Sequence, residues 1–300
     1  MKIAYLVLAH NNPEHLRRLI TALSSSASSF FIHVDKKSDV APFLSMEGNN
    51  VHLTQERASV FWGDFSQVEA ILVLLRSAMA DRRCFDRFVL LSGTDYPLRS
   101  ASSIERFFAG RPEQEFINLV AMPSKAAGKA ISRLTDYKIR PGDRLISRAI
   151  RKALMIAGVL PQKRDYKAYL RDLAPYAGST WWALSRAAGD FILRFVARET
   201  QAVDFFRNTI CPDESFFQTI LGNSDFKSRI VRNLTYTDWS DGRASPAVMT
   251  EQHLDFFRAT SSFAPDDTYG GGEMLFARKF AGGPVDLVAK LDRQIMRYAC

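Results

Sequence analysis

The amino-terminal third of the chain alternates between apolar runs and helical patterns, and this alternation most constrains the fold. Apolar runs over residues 3–9, 29–34, 51–54 and 88–91 have the length and composition of buried strands. Two helix-start signals, Asn12-Pro13 and Asp64, precede amphipathic patterns. Because strands that alternate with helices build βαβ units, we predict an α/β fold with a mainly parallel central sheet and helices on both faces.

Residues 92–97 are predicted to form a loop, and residues 230–236 a later strand. Polar residues follow three of the predicted amino-terminal strands, namely His10, Asp35 and Asp95. Ligands of such sheets bind beyond the carboxyl ends of the strands, so we expect a binding site at this edge. No Gly-x-Gly-x-x-Gly follows the first strand and the chain has no Walker sequence. A dinucleotide or ATP site would therefore lack its phosphate loop.

Residues 176–223 contain an aromatic-rich strand pattern, followed by an apolar helical pattern that begins at Pro212-Asp213. Asp213 is predicted to cap this helix. Glu214 would then lie in the first turn, where the helix dipole favours its ionised form. From spacing alone, the ordinary interpretation of Glu214 is a first-turn carboxylate without catalytic function.

Six short motifs occur in order along nearly the whole chain, except for roughly residues 122–175. They are Ile32-His33-Val34-Asp35, Val60-Phe61-Trp62-Gly63, Leu91-Ser92-Gly93-Thr94-Asp95-Tyr96-Pro97, Gly178-Ser179-Thr180-Trp181-Trp182, Pro212-Asp213-Glu214-Ser215-Phe216-Phe217 and Leu275-Phe276-Ala277-Arg278-Lys279-Phe280. Together they resemble the core-2/I-branching family of β-1,6-N-acetylglucosaminyltransferases and peptide O-xylosyltransferases. The Ser-Phe-Phe and Phe-Ala-Arg-Lys-Phe forms are closer to the xylosyltransferase branch.

The resemblance implies a GT-A-like glycosyltransferase fold and an inverting, metal-independent transfer of xylose or N-acetylglucosamine from a UDP-sugar to an acceptor hydroxyl. No metal or other cofactor is expected, and the chain contains no Asp-x-Asp. Glu214 matches the catalytic carboxylate of the family. Arg278 and Lys279 match its diphosphate-binding pair, with Arg243 a weaker candidate. Without the resemblance, adjacent basic residues there would indicate a solvated surface.

Five further residues are candidates for the substrate sites. Asp35 matches a residue near the uridine, and Trp62 is expected to border the nucleotide or the donor sugar. Asp95 is expected to organise the donor site, although capping of its own loop explains it equally well. Asp238 and Trp239 are candidates for the acceptor side, where an indole offers a flat apolar face to a sugar. A single Trp is also a common core residue.

We expect one glycosyltransferase domain over residues 1–300, with a nucleotide-binding, Rossmann-like half (1–120), a basic helical insertion (122–175) and an acceptor and catalytic half (176–300). Within the insertion, residues 143–158 are predicted to form a basic amphipathic helix. Such a helix either packs on its own domain or lies on an anionic membrane. The net charge of +8 agrees with anionic partners.

We expect a bacterial cytoplasmic protein, at most peripheral on the inner face of the membrane. The reasons are the three scattered cysteines, the predicted strand directly after Met1-Lys2 and the absence of long apolar stretches. The expected partners are a UDP-sugar and a glycan, lipid-linked or peptide acceptor, and no nucleic acid. The alternative function is a non-catalytic module on the same fold that binds membranes or polyanions.

Residues 259–273 have the most flexible composition of the chain, with Ser, Pro, Asp and Gly270-Gly271-Gly272 just ahead of Arg278. We predict a lid that is mobile without ligand and protected when UDP or donor is bound. A surface insertion without function is the alternative.

Overall fold

The computed structural model describes residues 1–137, 150, 153–154, 156–158, 163–243, 245–280 and 285–297. The strands are β1 (Ile3–Ala9), β2 (Ser28–Val34), β3 (Val51–Leu53), β4 (Arg87–Ser92), β5 (Asp95–Pro97), β6 (Glu115–Ile117), β7 (Val120–Ala121), β8 (Tyr176–Ala177), β9 (Trp182–Ser185), β10 (Ile230–Val231), β11 (Thr235–Thr237), β12 (Ser262–Phe263), β13 (Gly272–Glu273) and β14 (Phe276–Arg278).

Within the described residues, the helices are α1 (Pro13–Leu23), α2 (Ala41–Leu44), α3 (Phe65–Ala80), α4 (Ala101–Ala109), α5 (Ser132–Thr135), α6 (Tyr166–Leu170), α7 (Arg186–Arg198), α8 (Thr200–Arg207), α9 (Phe216–Gly222), α10 (Glu251–Ala259) and α11 (Val285–Arg297). Short 3₁₀ turns occur at Pro212–Glu214 and Asp225–Arg229. None of the described helices is long and apolar enough to cross a membrane.

A seven-stranded sheet in the order β10-β6-β9-β4-β1-β2-β3 forms the centre of the fold. The pairs β1–β2, β1–β4, β2–β3 and β6–β10 are parallel, whereas β9 runs antiparallel to both β4 and β6. The predicted α/β class with a mainly parallel central sheet is confirmed. A smaller sheet has the strand order β11-β14-β5 and so joins two strands of the chain's second half to one of its first half.

The two faces of β1 belong to two different hydrophobic clusters. Tyr5 and Val7 pack in a cluster with residues of α1, α4, α10 and α11. Ala4 and Leu6 pack in the other cluster, with residues of α3, α7, α8 and α9. Because side chains alternate along a strand, this division places helices on both faces of the sheet, as predicted.

The two predicted amino-terminal helix caps are both present. The Asn12 side chain accepts a hydrogen bond from the backbone N–H of His15 at 3.1 Å, and Pro13 is the first residue of α1. The Asp64 side chain accepts from the backbone N–H of Ser66 at 2.9 Å and starts α3. Each cap satisfies an N–H group that the helix itself leaves without an acceptor.

The predicted start of this helix at Asp213 is wrong. Pro212–Glu214 forms a 3₁₀ turn, and α9 begins only at Phe216. Asp213 does not cap the helix, because its carboxylate is turned to Thr180, whose hydroxyl donates to it at 2.6 Å. Glu214 is therefore not in the first turn of an α-helix, and the expected stabilisation by the helix dipole does not apply as stated.

Two further strand assignments differ from the prediction. The expected loop over residues 92–97 contains β5, which pairs antiparallel with β14. The single strand expected over residues 230–236 is divided, because β10 pairs with β6 in the large sheet and β11 with β14 in the small one. Asn233 lies in the chain between β10 and β11, and its side-chain amide donates a hydrogen bond to Ser179 Oγ at 2.8 Å.

The helix predicted over residues 143–158 lies largely outside the described residues. Its packing and its contact with a membrane stay predictions.

Candidate active site

A cavity of about 590 Å³ opens at the carboxyl ends of β1, β2 and β4. The chain passes from β1 to β2 and β3 on one side and returns to β4 on the other, so the cavity lies at the switch in strand order where ligands of open α/β sheets bind. The polar and aromatic residues that line it include His10, His33, Asp35, Lys37, Trp62, Gln67, Thr180, Trp181, Asp213, Glu214, Trp239, Arg278 and Lys279.

Glu214 contributes a carboxylate that is held by two cations. Lys129 Nζ donates to Glu214 Oε2 at 2.7 Å, and the guanidinium of Arg133 donates to the same oxygen. No hydrogen-bond donor among the described residues contacts Oε1. The two cations hold Oε2 and leave Oε1 available to a ligand.

A close backbone contact supports the position of Glu214. The backbone N–H of Gly178 donates to the Glu214 carbonyl oxygen at 2.8 Å. A Cβ at Gly178 would lie 1.8 Å from the carbonyl oxygen of Asn118, so only glycine allows the backbones to approach in this way.

Asp213 is a second, buried carboxylate beside Glu214. Its Oδ2 accepts from Thr180 Oγ1 at 2.6 Å and from Gln67 Nε2 at 3.2 Å, while Oδ1 has no partner among the described residues. Burial, and after it the charge of Glu214, raise the pKa of Asp213 to about 6. Asp213 is therefore buried among uncharged hydrogen-bond donors, whereas its neighbour Glu214 contacts two cations.

Asp35 lies at the end of β2 and is fixed by its own loop. Its Oδ1 accepts from the backbone N–H of Lys37 at 2.9 Å and of Val60 at 3.3 Å. Lys37 Nζ is 3.3 Å from Asp35 Oδ2 and 4.1 Å from the centre of the Phe61 ring. Trp62 lines the same part of the cavity with 76% of its surface exposed, so its indole is available for stacking.

Arg278 and Lys279 differ in what they offer to a ligand. The Arg278 guanidinium lies 4.1 Å from the Trp181 ring, and its Nε is 3.3 Å from Asp95 Oδ1. Burial, the largest effect, lowers the pKa of Arg278, while Asp95 acts in the opposite direction. Lys279 Nζ reaches Ser245 Oγ at 3.2 Å and lines the cavity, so it is the more available cation.

Asp95 does not line the cavity itself. It is fully buried, and its Oδ2 accepts from the backbone N–H of Ser92 at 2.9 Å. Asp95 thus closes its own loop and at the same time pairs with Arg278. Its role in organising a donor site stays a prediction.

Of the remaining candidate residues, Trp239 lines the cavity and Asp238 and Arg243 do not. Trp239 lines the cavity and donates to Thr237 Oγ1 at 3.1 Å. Asp238 does not line it, because its carboxylate accepts from the backbone N–H of Ser240 at 2.8 Å and lies 2.9 Å from His253 Nε2. The Arg243 side chain is 79% exposed and also lies away from the cavity lining.

Sequence reasoning missed Lys129 and Arg133. Both fall in residues 122–175, which were interpreted as a basic insertion, yet their cations contact Glu214. Lys129 is only 7% exposed, although its sequence neighbours are polar or small and carry no burial pattern. The one usable signal was the positive charge of this segment, since a carboxylate in a cavity wall is stabilised by nearby cations.

The described residues contain no group of three or more His, Cys, Asp and Glu side chains arranged to hold a metal ion. The cations that line the cavity are side chains, namely Lys37, Arg278 and Lys279. Chemically, the arrangement provides a carboxylate base and fixed positive charge for an anionic ligand.

Comparison with known proteins identifies relatives. Xylosyltransferase 2 of Homo sapiens is 28% identical over 257 residues, covering 80% of this chain and 27% of the relative. Xylosyltransferase 1 of Canis lupus familiaris is 26% identical over 316 residues, covering 97% of this chain and 30% of the relative. The chain thus spans less than a third of the length of these relatives. Mouse xyloside xylosyltransferase 1 in its apo form aligns with a TM-score of 0.39 at 11% identity, covering 94% of this chain and 99% of that chain.

The profile of the Core-2/I-Branching enzyme family matches residues 3–257, which include the strands and the carboxylates of the cavity. The resemblance seen in the six motifs is confirmed, and the chain belongs to the Core-2/I-Branching enzyme family.

Proposed function

We propose that the chain is an inverting, metal-independent glycosyltransferase that moves xylose or N-acetylglucosamine from a UDP-sugar to an acceptor hydroxyl. Membership of the family and the xylosyltransferases among the relatives support this class of reaction. The cavity at the carboxyl ends of the strands is large enough for a nucleotide ligand.

The observation that carries the proposal is Glu214 in the cavity wall with one oxygen held by Lys129 and Arg133. Glu214 takes the proton of the acceptor hydroxyl as that oxygen attacks the sugar carbon. One base with in-line displacement inverts the configuration at this carbon. A double displacement would need a second positioned nucleophile.

The leaving diphosphate gains negative charge as the sugar bond breaks, and cations at that place stabilise the transition state more than the ground state. Lys279 is the first candidate, because it lines the cavity and its ammonium contacts only a serine hydroxyl among the described residues. Arg278 supports the same end of the cavity from its position between Asp95 and Trp181. Side-chain cations of this kind would replace a metal ion.

The nucleotide of the donor and the acceptor are each assigned to residues that line the cavity. Asp35 and Trp62 are proposed to hold the nucleotide, and Trp239 the acceptor. The acceptor is a glycan, lipid-linked or peptide hydroxyl. A role in bacterial surface glycan synthesis stays a prediction.

The experiment is thermal unfolding with UDP in the presence of excess EDTA, followed by turnover of UDP-xylose and UDP-N-acetylglucosamine under the same conditions. A ligand at 100 times its Kd stabilises the folded state by about 2.7 kcal/mol. We expect stabilisation by UDP and turnover of one donor without metal. Absence of both would favour a non-catalytic module, and strict dependence on Mg²⁺ or Mn²⁺ would contradict the assignment of the cations.

A further inference from the structure

Arg57, in the segment between β3 and α3, holds the backbone that forms one end of the cavity. Its Nε donates to the carbonyl oxygen of Val34 at 2.9 Å. Its Nη2 donates to the carbonyl oxygens of Asp35 at 2.8 Å and Ser38 at 2.6 Å. Asp35 and Ser38 line the cavity, whereas Arg57 does not. One half-buried guanidinium thus fixes the turn that follows β2 from behind the cavity wall.

The residues after this arginine are tied to the same turn. The backbone N–H of Lys36 donates to the Ala58 carbonyl oxygen at 3.0 Å, and the N–H of Ala58 donates to His33 Nε2 at 2.8 Å. Burial lowers the pKa of His33, so its ring is neutral at pH 7 and Nε2 can accept this bond. The N–H of Val60 donates to Asp35 Oδ1 at 3.3 Å. The turn after β2 and the segment that leads to α3 are therefore joined at several points.

Trp62 lies at the end of this segment, and its position depends on the backbone. The side chain lines the cavity and is 76% exposed, so packing does little to hold it. Its two neighbours are held instead. The N–H of Phe61 donates to Ser66 Oγ at 3.0 Å, and the Gly63 carbonyl oxygen accepts from the N–H of Cys211 at 3.1 Å. The place of the indole in the cavity is therefore set by the segments to which its neighbours are tied.

We propose that Arg57 is a positioning residue for the nucleoside of the donor, which holds Asp35 and the Trp62 segment in the arrangement that binds uridine. This assignment rests on the proposed function, in which Asp35 and Trp62 hold the nucleotide. A segment that is already ordered binds its ligand more tightly, because no ordering cost opposes binding. Direct binding of a phosphate by Arg57 is disfavoured, because its Nε and Nη2 donors are directed at carbonyl oxygens and it does not line the cavity.

The first test compares Arg57→Met and Arg57→Lys with the matched control Arg76→Met, at an exposed position of α3. We expect the Kd of UDP and the KM of the donor to rise about 10-fold in Arg57→Met, with kcat at saturating donor close to that of the wild type. Arg57→Lys should show a smaller rise, because an ammonium keeps the charge but cannot reproduce the fork that spans three carbonyl oxygens. It also serves as the readable variant if Arg57→Met does not fold.

The second test is a double-mutant cycle with Trp62→Ala. Because Arg57 acts through the Trp62 segment, we expect the double variant to lose little more UDP affinity than the larger of the two single losses. Fully additive losses would overturn the proposal. So would a Kd and a KM equal to those of Arg76→Met, or a fall in kcat with the donor KM unchanged. Failure of the proposed function is recognised separately, in a wild type that does not bind UDP.

Discussion

The buried carboxyl of Asp213 provides a quantitative test of the site's electrostatics. Its pKa is raised from an ordinary value of 3.8 to about 6, first by burial and then by the charge of Glu214. At about 1.4 kcal/mol per pKa unit, this difference corresponds to about 3 kcal/mol. Ionisation of Asp213 therefore lowers the free energy of unfolding of the native protein by about this amount.

The sign follows from proton binding. Between pH 3.8 and about 6 the native state keeps the proton of Asp213 while the unfolded state has released it, so the free energy of unfolding falls as pH rises through this window. Below the window both states are protonated and the cost is absent. Above it the cost is complete.

Asp213→Asn keeps the size of the side chain and cannot ionise. We expect the stability of the variant relative to wild type to increase by about 2.4 kcal/mol between pH 4 and pH 8, whatever its absolute stability, because the unfolded-state carboxyl is already partly ionised at pH 4. Urea unfolding at intervals across this range measures the difference, and groups that titrate in both proteins cancel. Asp266→Asn, at an exposed site, should show no such trend. A difference between Asp213→Asn and wild type that does not change with pH would refute the assigned burial and its coupling to Glu214.

Two further predictions test the backbone and the cations of the site. Gly178→Ala should destabilise the protein by several kcal/mol in urea unfolding, because its Cβ would meet the Asn118 carbonyl oxygen at 1.8 Å, whereas Gly48→Ala has open space and should be nearly neutral. Equal stability of the two variants would contradict the close approach. Lys279→Ala should weaken UDP binding about 10- to 100-fold in calorimetry with EDTA present, against no change in the exposed Lys125→Ala. Unchanged UDP affinity in Lys279→Ala would remove that lysine from the diphosphate site.

Much of the fold could be predicted because its signals are local. The apolar run of β1 and the caps Asn12 and Asp64 act over a few residues, and the structure contains all three. The start of α9 could not be predicted, because Asp213 is drawn to Thr180, 33 residues away, instead of to the nearest N–H groups. The division of the strand over residues 230–236 likewise depends on distant partners of Asn233.

The residues of the candidate site that lie in motifs were predictable from the sequence. Those that join the site only through spatial contact were not. Glu214 and Lys279 were found through their motifs, and both line the cavity. Lys129 and Arg133 contact Glu214 from 85 and 81 residues away, without a motif of their own. Arg243 was a weaker candidate, because it lies near the position of another phosphate-binding arginine of the family, and its side chain is exposed.

The measurement that tests the central claim most directly is the turnover of Glu214→Gln. Glutamine keeps the size of the side chain but removes the base, so turnover should fall by on the order of 10²–10⁴ while UDP affinity remains close to wild type. The UDP affinity also shows that the site is still folded after Lys129 and Arg133 lose their charged partner. The exposed Glu56→Gln serves as the matched control and should keep full activity. Turnover of Glu214→Gln near that of Glu56→Gln would contradict the assignment of Glu214 as the base.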